Sequence, residues 1–235
     1  MRLDKFISDG AAMTRSQSRK AIKSGRVTRS GEVLKDIALS VSEDEIILLD
    51  GLEITYKKYV YIMLHKPSGV ISATEDKRQK TVLDLLDPSY SRYDLFPVGR
   101  LDIDTEGFLL LTNDGDLAHN MLSPNKDVGK TYFVRLEKDI TDKEIALLEN
   151  GVDIGVCITK PSKAQRISEN EINLTITEGK FHQIKKMANA VGNNVAYLKR
   201  LAYGDFYLDE SLPKGNYREL SAQEVEKLCN VYKRK

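Results

Sequence analysis

Asp102 stands beside Arg100 in a loop bounded by Gly99 and Gly107. An ionised carboxylate in such a loop can act as a nucleophile, or can stabilise positive charge developing on a substrate. Asp104, two residues on, is the rival for that role. The chain then enters Phe108-Leu109-Leu110-Leu111 and leaves through Thr112-Asn113-Asp114-Gly115. Four apolar residues ending in turn formers read as a buried strand, with Asn113-Asp114-Gly115 as a tight turn and its Asp structural. The acid therefore lies at the rim of a sheet, where a substrate can reach it.

A second basic cluster lies further along. Between Gly179 and Gly204 stand Lys180, Lys185, Lys186, Lys199 and Arg200, with no acidic residue. Tyr197 and Tyr203 are interleaved with them. Aromatic faces among cations suit exposed bases as well as phosphates. His182 adjoins this cluster and reads as a phosphate contact or a structural hydrogen-bonding residue.

Charge is also uneven along the chain. The first 35 of the 235 residues carry nine basic and three acidic side chains, a net of +6, so the remainder carries −5. From Thr14 to Arg29 there are six basic residues and no acid. Thr14-Arg15-Ser16-Gln17 has the form of a capping box, opening a helix that runs to about Lys23 and ends at Gly25. Arg15, Arg19, Lys20 and Lys23 spread over its outside, while Ala21 and Ile22 can face inward. A strand over 26–29, a turn at Ser30-Gly31 and a return strand over 32–34 follow. A one-signed surface of this kind points to a polyanion.

Composition narrows the remaining options. Hydrophobic residues make up 41% and charged residues 30% of the chain, and no apolar run is long enough to cross a bilayer. No apolar signal segment follows Met1. Cys157 and Cys229 are too isolated for a disulfide framework, and His65, His119 and His182 lack metal-ligand spacing. The expectation is a cytoplasmic protein with no metal.

The elements that must hold Asp102 follow from periodicity. Strands are expected over 59–64, 130–136 and 172–177, with 70–73 extending the sheet and a short turn or helix over 81–86. Thr141-Asp142-Lys143-Glu144 opens a helix ending near Gly151, and Ser221-Ala222-Gln223-Glu224 opens a last one. Ile184, Met187, Ala188 and Val191 share one helix face. There is no strict βαβ rhythm and no phosphate-binding glycine signature. The fold class is α+β: a small N-terminal helix-helix-hairpin domain, and a larger domain on a mixed, mostly antiparallel sheet with flanking helices. The boundaries read as 1–50, a linker over 51–59, and 60–235.

Two resemblances complete the reading. Arg2-Leu3-Asp4-Lys5-Phe6-Ile7, Thr14-Arg15-Ser16 with Ala21-Ile22, and Gly25-Arg26-Val27 with Gly31 resemble the small RNA-binding domain first described in ribosomal protein S-four. Thr28-Arg29-Ser30-Gly31 departs from that family's usual turn. Lys66-Pro67-Ser68-Gly69, the 99–115 stretch, Lys130-Thr131-Tyr132 and Glu178-Gly179-Lys180-Phe181-His182-Gln183-Ile184-Lys185-Lys186-Met187 together resemble pseudouridine synthases of the ribosomal small-subunit type, with Leu198-Lys199-Arg200-Leu201 and Gly204 completing the pattern.

The second resemblance implies an RNA isomerase that needs no cofactor. Asp102 is the essential carboxylate, Tyr132 stacks on the target base, and Lys185 is the basic partner of Asp102. Arg100 holds the flipped nucleotide's place or meets phosphate, Leu201 lines the base pocket, and Lys180, His182, Gln183 and Lys186 contact substrate. Arg15, Arg19, Lys20, Lys23 and Arg26 bind RNA from the N-terminal domain. The implied partner is ribosomal RNA, met by a monomer, and the implied target is uridine 516 of 16S RNA. Three alternatives stand beside it. One is a synthase acting on 23S RNA. Another is a non-catalytic assembly factor, which predicts decay of the catalytic loop, yet Asp102, Tyr132 and Lys185 are present. A glycoside hydrolase normally needs two acids across the bond, and Asp102 and Asp104 share one loop. Whether the carboxylate attacks base or sugar, or a sugar proton is abstracted, is left open by the residues.

Overall fold

The computed structural model describes residues 1–123 and 126–232. The chain forms two compact units, Met1–Val60 with Asp87–Asp94, and Tyr61–Leu86 with Leu95–Lys235.

In the first unit, helix α1 (Leu3–Gly10) buries Leu3, Phe6 and Ile7 along one face. Helix α2 (Arg15–Lys23) starts at the expected capping box: Thr14 Oγ1 accepts from the Gln17 amide, and the Gln17 side chain accepts from the Thr14 amide. Its Ala21 and Ile22 join the core. Strands β1 (Val27–Arg29) and β2 (Glu32–Val33) form the expected hairpin around Ser30 and Gly31, both at positive φ. Strands β3 (Ile47–Leu49) and β4 (Leu52–Ile54) complete a four-stranded sheet in the order β2-β1-β3-β4. Strand β4 corrects the expected boundary. Asp50 and Gly51, at φ 53° and 81°, make a second tight turn that folds the chain back on β3, so the stretch read as a linker belongs to this unit.

The second unit is the expected mixed sheet. Its strands are β5 (Tyr61–Lys66), β6 (Phe96–Pro97), β7 (Glu106–Thr112), β8 (Lys130–Leu136), β9 (Lys163–Arg166), β10 (Glu171–Ile176), β11 (Val195–Tyr203), β12 (Phe206–Tyr207) and β13 (Tyr217–Glu219). The main path runs β13-β5-β7-β11-β8-β10-β9, and only β7 with β11 is parallel. Helices α3 (Gly115–Leu122), α4 (Asp142–Asn150), α5 (Gln183–Ala190) and α6 (Ala222–Tyr232) flank it. The capping boxes at Thr141 and Ser221 both form. Residues 70–73 do not extend the sheet; they contribute one bridge, Ile71 to Thr81. Asn113-Asp114-Gly115 is a helix start rather than a separate turn. Asp114 caps α3 by accepting from the Leu117 amide, and also accepts from the Tyr61 hydroxyl at 2.6 Å, so its role is structural as expected.

Strand β7 is buried along its whole length because it lies between β5 and β11. Gly107 makes that packing possible. A Cβ there would lie 2.2 Å from the Arg200 carbonyl oxygen of β11, and its φ of +108° disfavours side chains. Among the described residues, no helix is long and apolar enough to cross a membrane.

Candidate active site

The loop that carries Asp102 joins β6 to β7, and it is held from beneath by Lys66. This lysine ends β5, is fully buried, and donates to the carbonyls of Pro67, Asp102, Ile103 and Thr105 at 2.9–3.3 Å. Burial pushes its ammonium down to about 8, against the pull of Asp104, Asp102 and Glu106. Two further ties fix the loop. The Gly69 amide donates to the Ile103 carbonyl at 2.8 Å, and Ser72 exchanges hydrogen bonds with the Leu101 backbone. The Lys-Pro-Ser-Gly motif therefore acts as the loop's foundation, a role that its residue types alone do not reveal for Lys66.

With its backbone fixed, Asp102 presents a carboxylate that is 28% exposed. Lys185 of α5 reaches it with Nζ 3.3 Å from Oδ2, and His182 Nε2 lies 3.7 Å from Oδ1. Lys185 is shared. It also donates to both Asp104 oxygens, at 2.6 and 2.8 Å, and is closer to that residue than to Asp102. Burial pushes Lys185 down, but its hydrogen bond to Asp104 and the two carboxylate charges outweigh this and leave it above its ordinary value. The same lysine overcomes the burial of Asp104 and holds that carboxyl below its usual range.

Asp102 lines a cleft of about 80 Å³ with Arg100, Thr105, Tyr132, Lys180, His182 and Lys185 among its walls. Tyr132 comes from β8 and Leu198 from β11; Ile176 of β10 adds apolar surface. Arg100 and Lys180 are exposed at the mouth. A larger groove of about 720 Å³ shares Arg100, Asp102, Lys180 and His182 and adds Phe181. Aspartate, tyrosine and lysine thus arrive on a loop, a strand and a helix that only the folded sheet brings together.

Several residues sit differently from expectation. Leu201 is not among the residues lining the cleft; Leu198 is. Strand β11 carries an irregularity between Arg200 and Ala202, and Leu201 falls in it. Lys186 is not on the cleft wall either; its ammonium lies 5.5 Å from the Phe181 ring centroid. Gln183 lines the cleft but is buried, with its amide spent on the Lys180 backbone and Glu178, so it shapes the loop before α5. The second basic cluster is also smaller than its sequence suggests. Arg200 is only 2% exposed and donates to the Phe108 carbonyl, and Tyr203 is a core residue bonded to the Met121 carbonyl.

In the first unit, Asp4 is buried beneath three arginines. Arg2, Arg15 and Arg19 meet its carboxylate at 2.9–3.1 Å while keeping about half of each side chain in water. Hydrogen bonding from Arg2, reinforced by Arg19 and the nearby charges, overcomes burial and holds Asp4 at about 2. Arg26 pairs with Asp50. Lys20 and Lys23 are exposed. The acid-free stretch 14–29 is thus neutralised in part by acids from outside it.

The site and fold together define a class: a mixed-sheet domain with one carboxylate in a cation-walled cleft, following a small basic domain. Residues 60–190 match the RNA pseudouridylate synthase family, and residues 1–47 match the S4 domain. The chain belongs to the RNA pseudouridine synthase family. It is 50% identical over 232 residues to YtzG, an uncharacterized RNA pseudouridine synthase of Bacillus subtilis (strain 168), covering 96% of this chain and 97% of that one. It is 40% identical over 231 residues to the ribosomal small subunit pseudouridine synthase A of Haemophilus influenzae, covering 97% and 99%. A crystal structure of a pseudouridylate synthase superposes with a TM-score of 0.68 at 38% identity, covering 97% of this chain and 99% of that one.

Proposed function

We propose that this protein isomerises one uridine of small-subunit ribosomal RNA to pseudouridine, the uridine at 516 of 16S RNA, with Asp102 as the essential residue and no cofactor. The observation that carries the reading is Asp102 itself, partly exposed in a cleft with an ammonium 3.3 Å away and Tyr132 in the wall. The name of the Haemophilus relative supports the small subunit as substrate.

The reaction breaks the bond from N1 of uracil to C1′ of the ribose. The base turns in place, C5 bonds to C1′, the C5 proton leaves, and N1 ends protonated. Atoms and electrons balance within the substrate. Asp102 serves as nucleophile or stabilises the positive sugar carbon. Lys185 offsets the carboxylate charge while the cleft is closed by RNA. The target base must leave its helix, and stacking on Tyr132 offsets part of an unstacking cost of a few kcal/mol. Arg100 and Lys180 meet backbone phosphate at the mouth, His182 orients the Asp102 side chain, and Gln183 holds the loop that carries Lys180. The N-terminal unit docks on structured RNA through Arg15, Arg19, Lys20, Lys23 and Arg26. The protein works as a monomer in the cytoplasm.

Asp102→Asn tests this reading. The purified variant is expected to form no pseudouridine in a small-subunit ribosomal RNA transcript while binding that transcript within about threefold of wild type, because exchanging one carboxylate oxygen for an amide nitrogen removes the nucleophile's charge and keeps the cleft's shape. Full pseudouridine formation by the variant contradicts the assignment.

A further inference from the structure

Phe181 is 70% exposed, although it adjoins the cleft that holds Asp102. Its ring stacks on the His182 imidazole with centroids 3.8 Å apart and planes 21° from parallel. His182 sits at φ 52°, a left-handed conformation that a non-glycine residue adopts at a cost, and this geometry sets the two rings together at the start of α5. The far edge of His182 approaches Asp102 at 3.7 Å. Lys186 Nζ lies 5.5 Å from the Phe181 centroid, and Lys180 lines the same groove.

An aromatic side chain left mostly in water gains nothing for folding. Stacked on His182, with the Lys186 ammonium nearby and Lys180 in the same groove of about 720 Å³, it suits a flat, electron-rich partner attached to an anion. A nucleobase on its phosphodiester has both features. We propose that the Phe181–His182 pair is a second stacking platform, separate from Tyr132, which holds the base of a nucleotide flanking the target uridine. This rests on the RNA reading above and adds a subsite to it. The platform reads the π-face of the base and not its hydrogen-bonding edge, so it fixes the path of the strand once the target has been everted.

The chain contains no tryptophan, so Phe181→Trp supplies a single reporter in the full-length protein. Its emission is expected to be quenched on titration with a small-subunit ribosomal RNA transcript. Phe181→Leu keeps the apolar volume and removes the ring. It is expected to raise KM about tenfold, with kcat within twofold and an unchanged thermal transition. Transcripts with an abasic residue immediately 5′ or 3′ of the target complete the test. One of them is expected to raise the wild-type KM by a similar factor and to add no further increase in Phe181→Leu. Unquenched emission, a Phe181→Leu KM within twofold of wild type, or losses that multiply independently at both neighbours would overturn the platform. The RNA reading fails separately: wild-type protein would then leave the transcript unmodified, whatever Phe181 does.

Discussion

Lys66 bonds four carbonyls around the Asp102 loop from a site with no water access. Replacing it with Met removes the donors and leaves the buried Thr105 carbonyl without its ammonium, at ~1–3 kcal/mol, while the Asp102 and Ile103 carbonyls keep the Thr105 and Gly69 amides. Lys66→Met is expected to lose ~1–3 kcal/mol in urea unfolding and to lose isomerisation with it; wild-type stability would show that the loop is held by something else. Asp4 gives a pH-dependent counterpart. Its folded value, about 2, lies below its ordinary 3.8, so its stabilising contribution is complete above 3.8 and is lost as pH falls through about 2. Circular dichroism across that window is expected to show a steeper acid loss in wild type than in Asp4→Asn. Equal slopes would mean the arginine cluster does not stabilise the domain. At this scale the sequence showed which residue types were present but not their partners. Lys185 was legible as a cation near Asp102 only through the synthase-like motif, whereas its closer bond to Asp104 depends on where α5 meets the loop. Arg200 and Tyr203 read as surface groups because nothing local says that β11 is interior.

Elements place the site through one close approach. Strands β7 and β11 run parallel, with Gly107 opposite Arg200, and no other residue type fits there without displacing backbone. Gly107→Ala is expected to cost ~3–5 kcal/mol, combining overpacking with an unfavourable φ, and to disrupt the adjoining Asp102 loop. A thermal midpoint unchanged from wild type would refute the steric argument. Three helix starts were marked in the sequence, at Thr14, Thr141 and Ser221, because a capping box is a local four-residue signal; α1 and α5 start without a capping side chain, and the α3 start at Asp114 read as a turn. Strand β4 and the bulge beside Leu201 were not. A three-residue strand has too little periodicity to announce itself, and a one-residue bulge changes which neighbour faces the cleft without changing composition.

For the whole molecule, the N-terminal charge excess is the feature with consequences beyond the cleft. Lys20 and Lys23 are exposed on α2 and are not among the arginines that engage Asp4. Changing both lysines to Gln is expected to weaken RNA binding and to flatten the dependence of log K on log salt by roughly 0.7–0.9 for each phosphate no longer neutralised. An unchanged slope would remove α2 from the RNA surface. The two-part organisation was legible from charge asymmetry and from the S4-like and synthase-like motifs, since both are linear in sequence. The proposed conversion of one small-subunit uridine by Asp102 is the reading on which the rest depends. It is checked by mapping pseudouridines in ribosomal RNA from cells lacking this protein, complemented with wild type or with Asp102→Asn. One small-subunit pseudouridine is expected to disappear, to return with wild type and to stay absent with the variant. An unaltered map in the deletion, or restoration by Asp102→Asn, would contradict the assignment.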